Sequence, residues 1–236
     1  MLASTRNPHV PLLMVLLAMA GLLLAPPGSA PAQPKDERAI RDLTRDISRG
    51  MTNARTTTDA LAAQLRQLGQ YPTRSVVDFL VNDVLPGTGE PPRGRPDRSA
   101  LRPVVLEVLQ QVAGGSPEAQ AAMNTHLFNE RLPEELRMTL LTARLESADD
   151  PFYQATLTQG GWAIRVMVLN RLATTGTIND ESFVAVRGNL FHVDRRVRAA
   201  ALLAVERLAR QAGSRSEREI DCFAALIELL EREQSG

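Results

Sequence analysis

The chain has 236 residues, with 27 Lys and Arg against 27 Asp and Glu, so its formal net charge at pH 7 is zero. A dedicated nucleic-acid-binding protein needs a surplus of basic residues to displace the counterions of the phosphate backbone. Aromatic residues make up only 4% of the chain, which also excludes the aromatic platforms on which proteins stack single-stranded bases. Composition therefore predicts that nucleic acid is not the partner.

The first 32 residues have the pattern of a cleavable secretory signal peptide. Arg6 gives the positive start, and residues 12–25 form an apolar run. The small-x-small sequence of residues 30–32 then predicts cleavage before Gln33. The run is shorter than the about 18 apolar residues that a membrane-spanning helix needs. We therefore expect an exported protein, periplasmic or extracellular, without a membrane span after cleavage. The alternative is an uncleaved N-terminal anchor.

The only cysteine in the chain is Cys222, so no intramolecular disulfide can form after the predicted export. Stability must come from an apolar core, and the about 200 residues that follow the cleavage site are enough to build one. Cys222 falls on an apolar arc of the last predicted helix, which favours a buried, unreactive side chain. The alternative is a free thiol that pairs with another molecule.

Apolar residues recur at helical spacing through most of the mature chain, and no stretch alternates as a β-strand does. Before residue 86 the pattern predicts three helices, the first with Ile40, Leu43 and Ile47 on one stripe. Residues 86–97 are Pro or Gly at seven of twelve positions, which predicts a loop or linker. This Pro/Gly loop divides the mature chain into an N-terminal helical segment, 33–85, and a larger helical domain, 98–236.

The larger predicted domain begins with a complete core-facing stripe over residues 101–112. Ser116 and Pro117 then have the residue types of an N-cap and a first helical position. Residues 162–173 are apolar on most sides, which predicts a central helix. Over the mature chain we expect about nine or ten helices. Their short connections favour antiparallel neighbours.

Residues 194–209 read DRRVRAAALLAVERLA. An aspartate, a Val-Arg pair and regularly spaced small or apolar residues resemble the second helix of a HEAT repeat. The matching positions are Asp194, Val197, Arg198, Ala201, Ala204, Val205 and Leu208. Asp194 is suited to cap the helix and to pair with Arg198. The alanines of the stripe let a neighbouring helix approach closely.

A fainter copy of the pattern lies upstream, in two different registers. Leu169 and Leu172 align with Val205 and Leu208 at an offset of 36, whereas the pair Ile164-Arg165 aligns with Val197-Arg198 at an offset of 33. The resemblance, which covers mainly residues 180–234, implies an all-α, right-handed stack of antiparallel helical hairpins, the HEAT-like superhelix. Such a stack is a scaffold for a protein partner and carries no chemistry. An unrelated helical bundle is the alternative.

The sequence contains no local motif of a nucleotide-binding loop, a zinc protease or a serine hydrolase. The mature chain has two histidines, His126 and His192, in separate predicted elements, and no residues have metal-ligand spacing. We therefore expect no cofactor and no metal. His126 is expected to be a partly buried structural residue. His192 is expected to be solvated or to support the turn before Asp194.

One enzymatic alternative depends on Glu146. Glu146-Ser147 at a predicted helix end, with Pro151 five positions after the glutamate, resembles the start of the lytic transglycosylase motif. Those enzymes cleave peptidoglycan with one catalytic glutamate, a general acid with a raised pKa. The Gly-Leu-Met-Gln that continues the family's motif is absent, because Trp162 follows Gly161. The other interpretation of Glu146 is a solvated residue in the last turn of its helix.

Four arginines surround the Pro/Gly loop: Arg93, Arg95, Arg98 and Arg102. Together they are a candidate patch for an anionic partner such as a lipid headgroup or an acidic glycan. Glu90 and Asp97 dilute this charge. The alternative is therefore a loop whose charges only keep it soluble.

These patterns favour an exported, non-catalytic helical-repeat scaffold that binds a protein partner in the bacterial envelope or outside the cell. Arginine supplies all basic residues except Lys35, a bias typical of GC-rich bacterial genomes. Two alternatives stay open. One is a peptidoglycan-cleaving enzyme that uses Glu146, and the other is a periplasmic chaperone-like protein whose exposed apolar helix faces hold unfolded clients.

Overall fold

The computed structural model describes residues 34–212, except 92 and 176, and five residues near the C-terminus: 224, 226–228 and 231. The predicted signal peptide and Cys222 lie outside the described residues. All regular structure in the described part is helical, which confirms the predicted all-α class. Ten α-helices lie within residues 34–212, and the predicted last helix, which contains Cys222, falls almost wholly outside that range.

The ten helices are numbered here in chain order. They are α1 (Pro34–Thr52), α2 (Thr58–Leu68), α3 (Arg74–Phe79), α4 (Arg102–Gly115), α5 (Pro117–Leu127), α6 (Glu134–Leu145), α7 (Asp150–Gln159), α8 (Trp162–Thr175), α9 (Asp180–Gly188) and α10 (Arg195–Ala212). A π-helical turn (Leu80–Val84) and a 3-10 turn (Leu85–Thr88) continue α3. Two more 3-10 turns, Ser99–Leu101 and Asn189–Phe191, precede α4 and follow α9.

Five helices begin at a side chain that accepts a hydrogen bond from a backbone N–H of the first turn, which is what an N-cap provides. The caps are Thr57, Thr73, Ser116, Asp149 and Asn179. The predicted cap at Ser116, with Pro117 as the first helical residue, is confirmed. The local sequence therefore fixes where half of the helices start.

The helices form two layers. In the longer layer α2, α4, α6, α8 and α10 pack each against the next. The other layer pairs α3 with α5 and α7 with α9, and neighbours in sequence, such as α7 and α8, connect the two layers. Helix α1 packs on α2 and on the π-helical turn, at the N-terminal end of the stack. This arrangement is the predicted stack of helical hairpins.

An apolar residue followed by an arginine recurs at the third and fourth positions of three successive helices in the longer layer. They are Leu136-Arg137 in α6, Ile164-Arg165 in α8 and Val197-Arg198 in α10. Ile164 and Val197 are buried. Both arginines donate to backbone carbonyls that precede their helix: Arg165 to Gly160 and to Thr158 at the end of α7, and Arg198 to His192 and Val193. Ile164-Arg165 and Val197-Arg198, which are 33 residues apart, therefore occupy equivalent positions in their helices.

The apolar core consists of two clusters that meet on α6. The N-terminal cluster runs from α1 to α6 and includes Leu140 and Ala143. The C-terminal cluster includes Leu141 and Leu145 and continues to α10. Adjacent helical residues point about 100° apart, so α6 faces both clusters at once. The boundary between the clusters is therefore at α6 and not at the Pro/Gly loop.

The Pro/Gly loop lies inside the N-terminal cluster. Leu85 and Leu101, on either side of it, are both fully buried in that cluster. Helix α2 packs on α4, and α3 packs on α5. The segment predicted as 33–85 therefore shares its core with the first helices of the segment predicted as 98–236, because the loop returns the chain to the same apolar cluster.

Arg144 connects the end of α6 to the start of α7 from inside the protein. Only 2% of its surface is exposed. Its guanidinium donates to Asp149 Oδ1 (2.8 Å), to Ser147 Oγ (3.2 Å) and to the carbonyl of Ser147. It also lies 4.6 Å from the ring centre of Phe152. Because Asp149 is the N-cap of α7, one buried cation fixes the connection between two helices.

We expect Arg144→Met to lower the free energy of unfolding by about 3–4 kcal/mol, the lower part of the range for breaking a buried ion pair. The methionine keeps the contact with Phe152 but loses every hydrogen bond, while the Asp149 side chain, 51% exposed, can still bind water. Urea denaturation followed by circular dichroism measures the difference. Arg45→Met is the matched control, because Arg45 pairs with Asp42 on the surface of α1 and its loss should cost under about 1 kcal/mol. Equal destabilisation by the two variants would contradict the role of Arg144.

Candidate functional site

Two open clefts follow one face of α1. The upper cleft has a volume of about 680 Å³ and lies between α1, α3 and the start of α5. The lower cleft has a volume of about 390 Å³ and lies between the end of α1, the turns after α3 and the Pro/Gly loop. Phe79 lines both clefts. We therefore treat them as two parts of one groove, called the α1 groove below.

The spacing of residues in α1 explains the course of the groove. Ile40, Leu43 and Ile47 turn to the core, as the predicted stripe requires. The α1 residues that line the groove follow the same helical spacing along the edge of that stripe: Glu37, Ile40, Arg41, Thr44, Ser48, Met51 and Thr52. At 1.5 Å per residue, the stretch from Glu37 to Thr52 is about 22 Å long. The groove thus runs along nearly the whole helix.

Apolar side chains form part of the wall where the two clefts meet and in the lower cleft. Phe79 and Met51 are partly buried against the N-terminal cluster and present their remaining surface to the groove. Three prolines of the following turns and loop complete the lower wall: Pro86, Pro91 and Pro96. Gly87 lets the wall approach α1 closely, since a Cβ at this position would lie 2.8 Å from Met51 Cε. The absence of a side chain at Gly87 therefore lets the loop lie close to Met51 in this part of the groove.

Charged residues line both clefts of the groove. The carboxylates are Glu37, Asp78 and Glu118 in the upper cleft and Asp83 and Glu90 in the lower one. The cations are Arg41 and Arg74 above and Arg95 below. Asp78 is already paired, since its carboxylate lies 2.7 Å from His126 Nε2 and 3.5 Å from Arg74 Nε. His126 is a partly buried structural residue, as predicted, and its ring supports one wall of the groove.

The four arginines predicted as an anionic-partner patch do not form one surface. Arg98 is only 4% exposed and donates to the carbonyls of Gly50 (3.0 Å) and Asn53 (2.8 Å), where it satisfies the C-terminal end of α1. Arg102 forms an ion pair with Glu135 at 2.6 Å. Only Arg93 and Arg95 are exposed on the loop. The patch is therefore reduced to these two, because packing and ion pairing occupy the others.

Glu146 lies at the C-terminal end of α6, on the surface. Its side chain is 56% exposed and 3.6 Å from Arg171 Nη2. It lines neither part of the α1 groove, nor the small cleft of about 110 Å³ in front of Trp162. A general acid needs a pocket that raises its pKa and a substrate beside it. The surroundings of Glu146 are those of a solvated residue in a surface ion pair.

The turn before α10 has its own polar network. His192 Nδ1 accepts a hydrogen bond from the backbone N–H of Asp194 (3.0 Å), so His192 supports this turn, as one of the two sequence-based expectations had it. Asp194 accepts from the Arg196 guanidinium at 2.6 and 3.0 Å and from its backbone N–H. These hydrogen bonds lower the pKa of Asp194 to about 2. The Arg196 guanidinium also stacks 3.5 Å above the Trp162 ring.

The described part of the chain has neither a helix that could span a membrane nor a cluster of metal-ligating side chains. No helix in it combines the length and the apolar character needed to cross a bilayer. No three of its His, Cys, Asp and Glu side chains are grouped as metal ligands would be. Comparison with family models, curated proteins and solved structures found no match for this chain. The geometry of the groove is therefore the only support for the candidate site.

Sequence reasoning missed nearly all of the groove. Of its lining residues only Arg95 was a predicted site residue. The helices that form the walls are far apart in sequence, and the Asp78–His126 pair spans 48 residues, so no local pattern marks it. The sequence feature that could have indicated the groove is the group of prolines after an amphipathic segment. Proline fixes its backbone φ angle, so such a loop is stiff.

We expect Arg98→Met to lower the free energy of unfolding by about 1–3 kcal/mol, because two charge-assisted hydrogen bonds to α1 are lost. Arg93→Met, which removes an exposed arginine of the same loop, should change it by less than about 0.5 kcal/mol. Thermal unfolding of both variants provides the comparison. If Arg93→Met destabilises the protein as strongly as Arg98→Met, the buried anchor at the end of α1 is not supported.

We expect Glu146→Gln to leave the behaviour of the protein towards purified peptidoglycan unchanged, because Glu146 is exposed in a surface ion pair and lines none of the three clefts described above. The measurement is the release of soluble glycan fragments by the wild-type chain and the variant. Fragments that appear with the wild type and vanish with Glu146→Gln would contradict this expectation and make the protein an enzyme.

Proposed function

We propose that this chain is an exported, non-catalytic helical scaffold that binds a protein partner of the bacterial envelope or exterior through the α1 groove. The proposal of export has its support in residues 1–32, whose charge, apolar run and small-x-small site are those of a signal peptide. The observation that carries the binding role is the groove itself.

The shape of the groove suits a polypeptide segment better than a small molecule. Small-molecule sites enclose most of the ligand surface. The α1 groove is instead open and about 22 Å long from Glu37 to Thr52, with apolar side chains in its middle. Peptide-binding grooves have this form, since they receive a few apolar anchors and leave the rest of the segment in contact with solvent.

The walls of the groove are fixed before any partner arrives. Arg98 holds the C-terminal end of α1 through the carbonyls of Gly50 and Asn53. Thr73 caps α3, and the Asp78–His126 hydrogen bond connects α3 to α5. A preformed site binds without the entropic cost of ordering its own side chains. The groove is therefore suited to stable partner binding.

We also propose that the stack is HEAT-like. The support is the pair of an apolar residue and an arginine at the third and fourth positions of α6, α8 and α10. Two of the arginines make the same kind of hydrogen bond to the connection before their helix. Recurrence of one local solution in successive hairpins is what a repeat architecture requires.

The experiment is a co-purification that compares the wild type with variants in which a larger side chain fills the groove. The full chain, with a C-terminal tag, is purified from the cell that makes it, as wild type and as the variants Thr44→Tyr and Gly87→Leu. Thr44 lines the upper cleft and Gly87 the lower cleft, so each new side chain occupies the space of a ligand. We expect one dominant co-purifying protein with the wild type and at least a tenfold loss with either variant.

The matched control is Ala63→Tyr, which adds the same side chain at an exposed position of α2 that lines neither cleft. Circular dichroism and thermal unfolding establish that all four proteins are folded. Equal recovery of the partner by the filled-groove variants and the wild type would contradict the proposal, as would an equal loss with Ala63→Tyr.

A further inference from the structure

The charges of the α1 groove are arranged in a way that selects its occupant. Four lining carboxylates have no ion pair with any described residue: Glu37, Glu118, Asp83 and Glu90. The first two lie in the upper cleft and the last two in the lower one. Two lining arginines, Arg41 and Arg95, are likewise without an ion pair in the described part of the chain. Unpaired negative charge therefore exceeds unpaired positive charge at the groove.

The charged groups that are already in ion pairs add little to the net charge of the groove. Asp78 is next to both His126 and Arg74, so its charge is compensated within the wall. The carboxylates that remain are exposed, two of them in the upper cleft and two in the lower one, and Phe79 lines both clefts. Opposite charges across an interface guide association and exclude partners of the same sign.

We propose that the α1 groove binds a basic, extended segment of the partner protein, with Lys or Arg side chains at both ends and an apolar side chain in the middle. The basic side chains lie against Glu37 and Glu118 at one end and against Asp83 and Glu90 at the other. The apolar side chain packs on Phe79 and Met51, where the groove narrows beside Gly87. This inference depends on the proposed binding function and specifies the chemistry of the partner.

The length of the groove sets the spacing of the basic residues. Along α1, the lining residues of the two clefts are centred about 15 Å apart and extend over about 22 Å from Glu37 to Thr52, from a rise of 1.5 Å per residue. An extended chain advances about 3.3 Å per residue, so five or six residues span a distance in this range. A helical segment would need roughly twice that number, and it would have to place both basic groups on the same face as the apolar residue.

Synthetic peptides test the charge and the spacing directly. The probes are a fluorescent peptide with two lysines at each end and a central leucine-containing spacer of five residues, the same peptide with glutamates for lysines, and a lysine peptide with a two-residue spacer. Fluorescence anisotropy with the full chain measures binding. We expect the long lysine peptide to bind most tightly, and the glutamate peptide to bind at least tenfold more weakly.

The double variant Asp83→Asn with Glu90→Gln removes the two lower carboxylates without changing the shape of the groove. We expect this variant to bind the long lysine peptide about tenfold more weakly than the wild type does. The matched control, Asp59→Asn with Glu181→Gln, removes two exposed carboxylates from α2 and α9 that line neither cleft and should leave binding unchanged. Equal binding of the lysine and glutamate peptides, or equal loss in the two double variants, would overturn the inference.

The co-purification separates this inference from the function on which it depends. If Thr44→Tyr abolishes recovery of the natural partner while Asp83→Lys with Glu90→Lys leaves it unchanged, the groove is a binding site but its occupant is not basic. If neither set of variants affects the partner, the binding function itself fails.

Discussion

Helix α6 has to pack on two apolar clusters at once, and the order of the stack follows from that constraint. Leu140 and Ala143 belong to the N-terminal cluster and Leu141 and Leu145 to the C-terminal one. A helix with apolar side chains on two faces has little surface left for solvent. Its only fully buried charge, Arg144, is accepted because Asp149, Ser147 and the Phe152 ring surround it. The helices on either side of α6 consequently form one continuous body.

The α1 groove results from the way this stack ends. Inside the stack the helices of the longer layer pack between two others, whereas α1, at the end of the stack, packs mainly on α2 and the π-helical turn. Its remaining edge is left open. The Pro/Gly loop runs back along the end of α1, where Arg98 binds the terminal carbonyls and the prolines form the lower wall. The feature that resembled a linker in the sequence is therefore part of the candidate site.

The sequence predicted what depends on local patterns. The all-α class, the cap at Ser116, the core stripe of α4 and the turn role of His192 all depend on residues within one or two helical turns. It did not predict which arginines are buried. Arg93 and Arg98 are five residues apart in the sequence, and they differ in the distant groups that folding brings to them. Such partners, 45 and 48 residues away for Arg98, leave no periodic signal.

Site-specific photocrosslinking can show whether a protein partner occupies the α1 groove. A benzophenone amino acid replaces Phe79, which lines both clefts, or Ala63 on the exposed face of α2, in the full chain inside the cell that makes it. After irradiation, we expect a covalent adduct with a single protein from position 79 and none from position 63. No adduct at position 79, or the same set of adducts at both positions, would contradict the proposal that a protein partner occupies the groove.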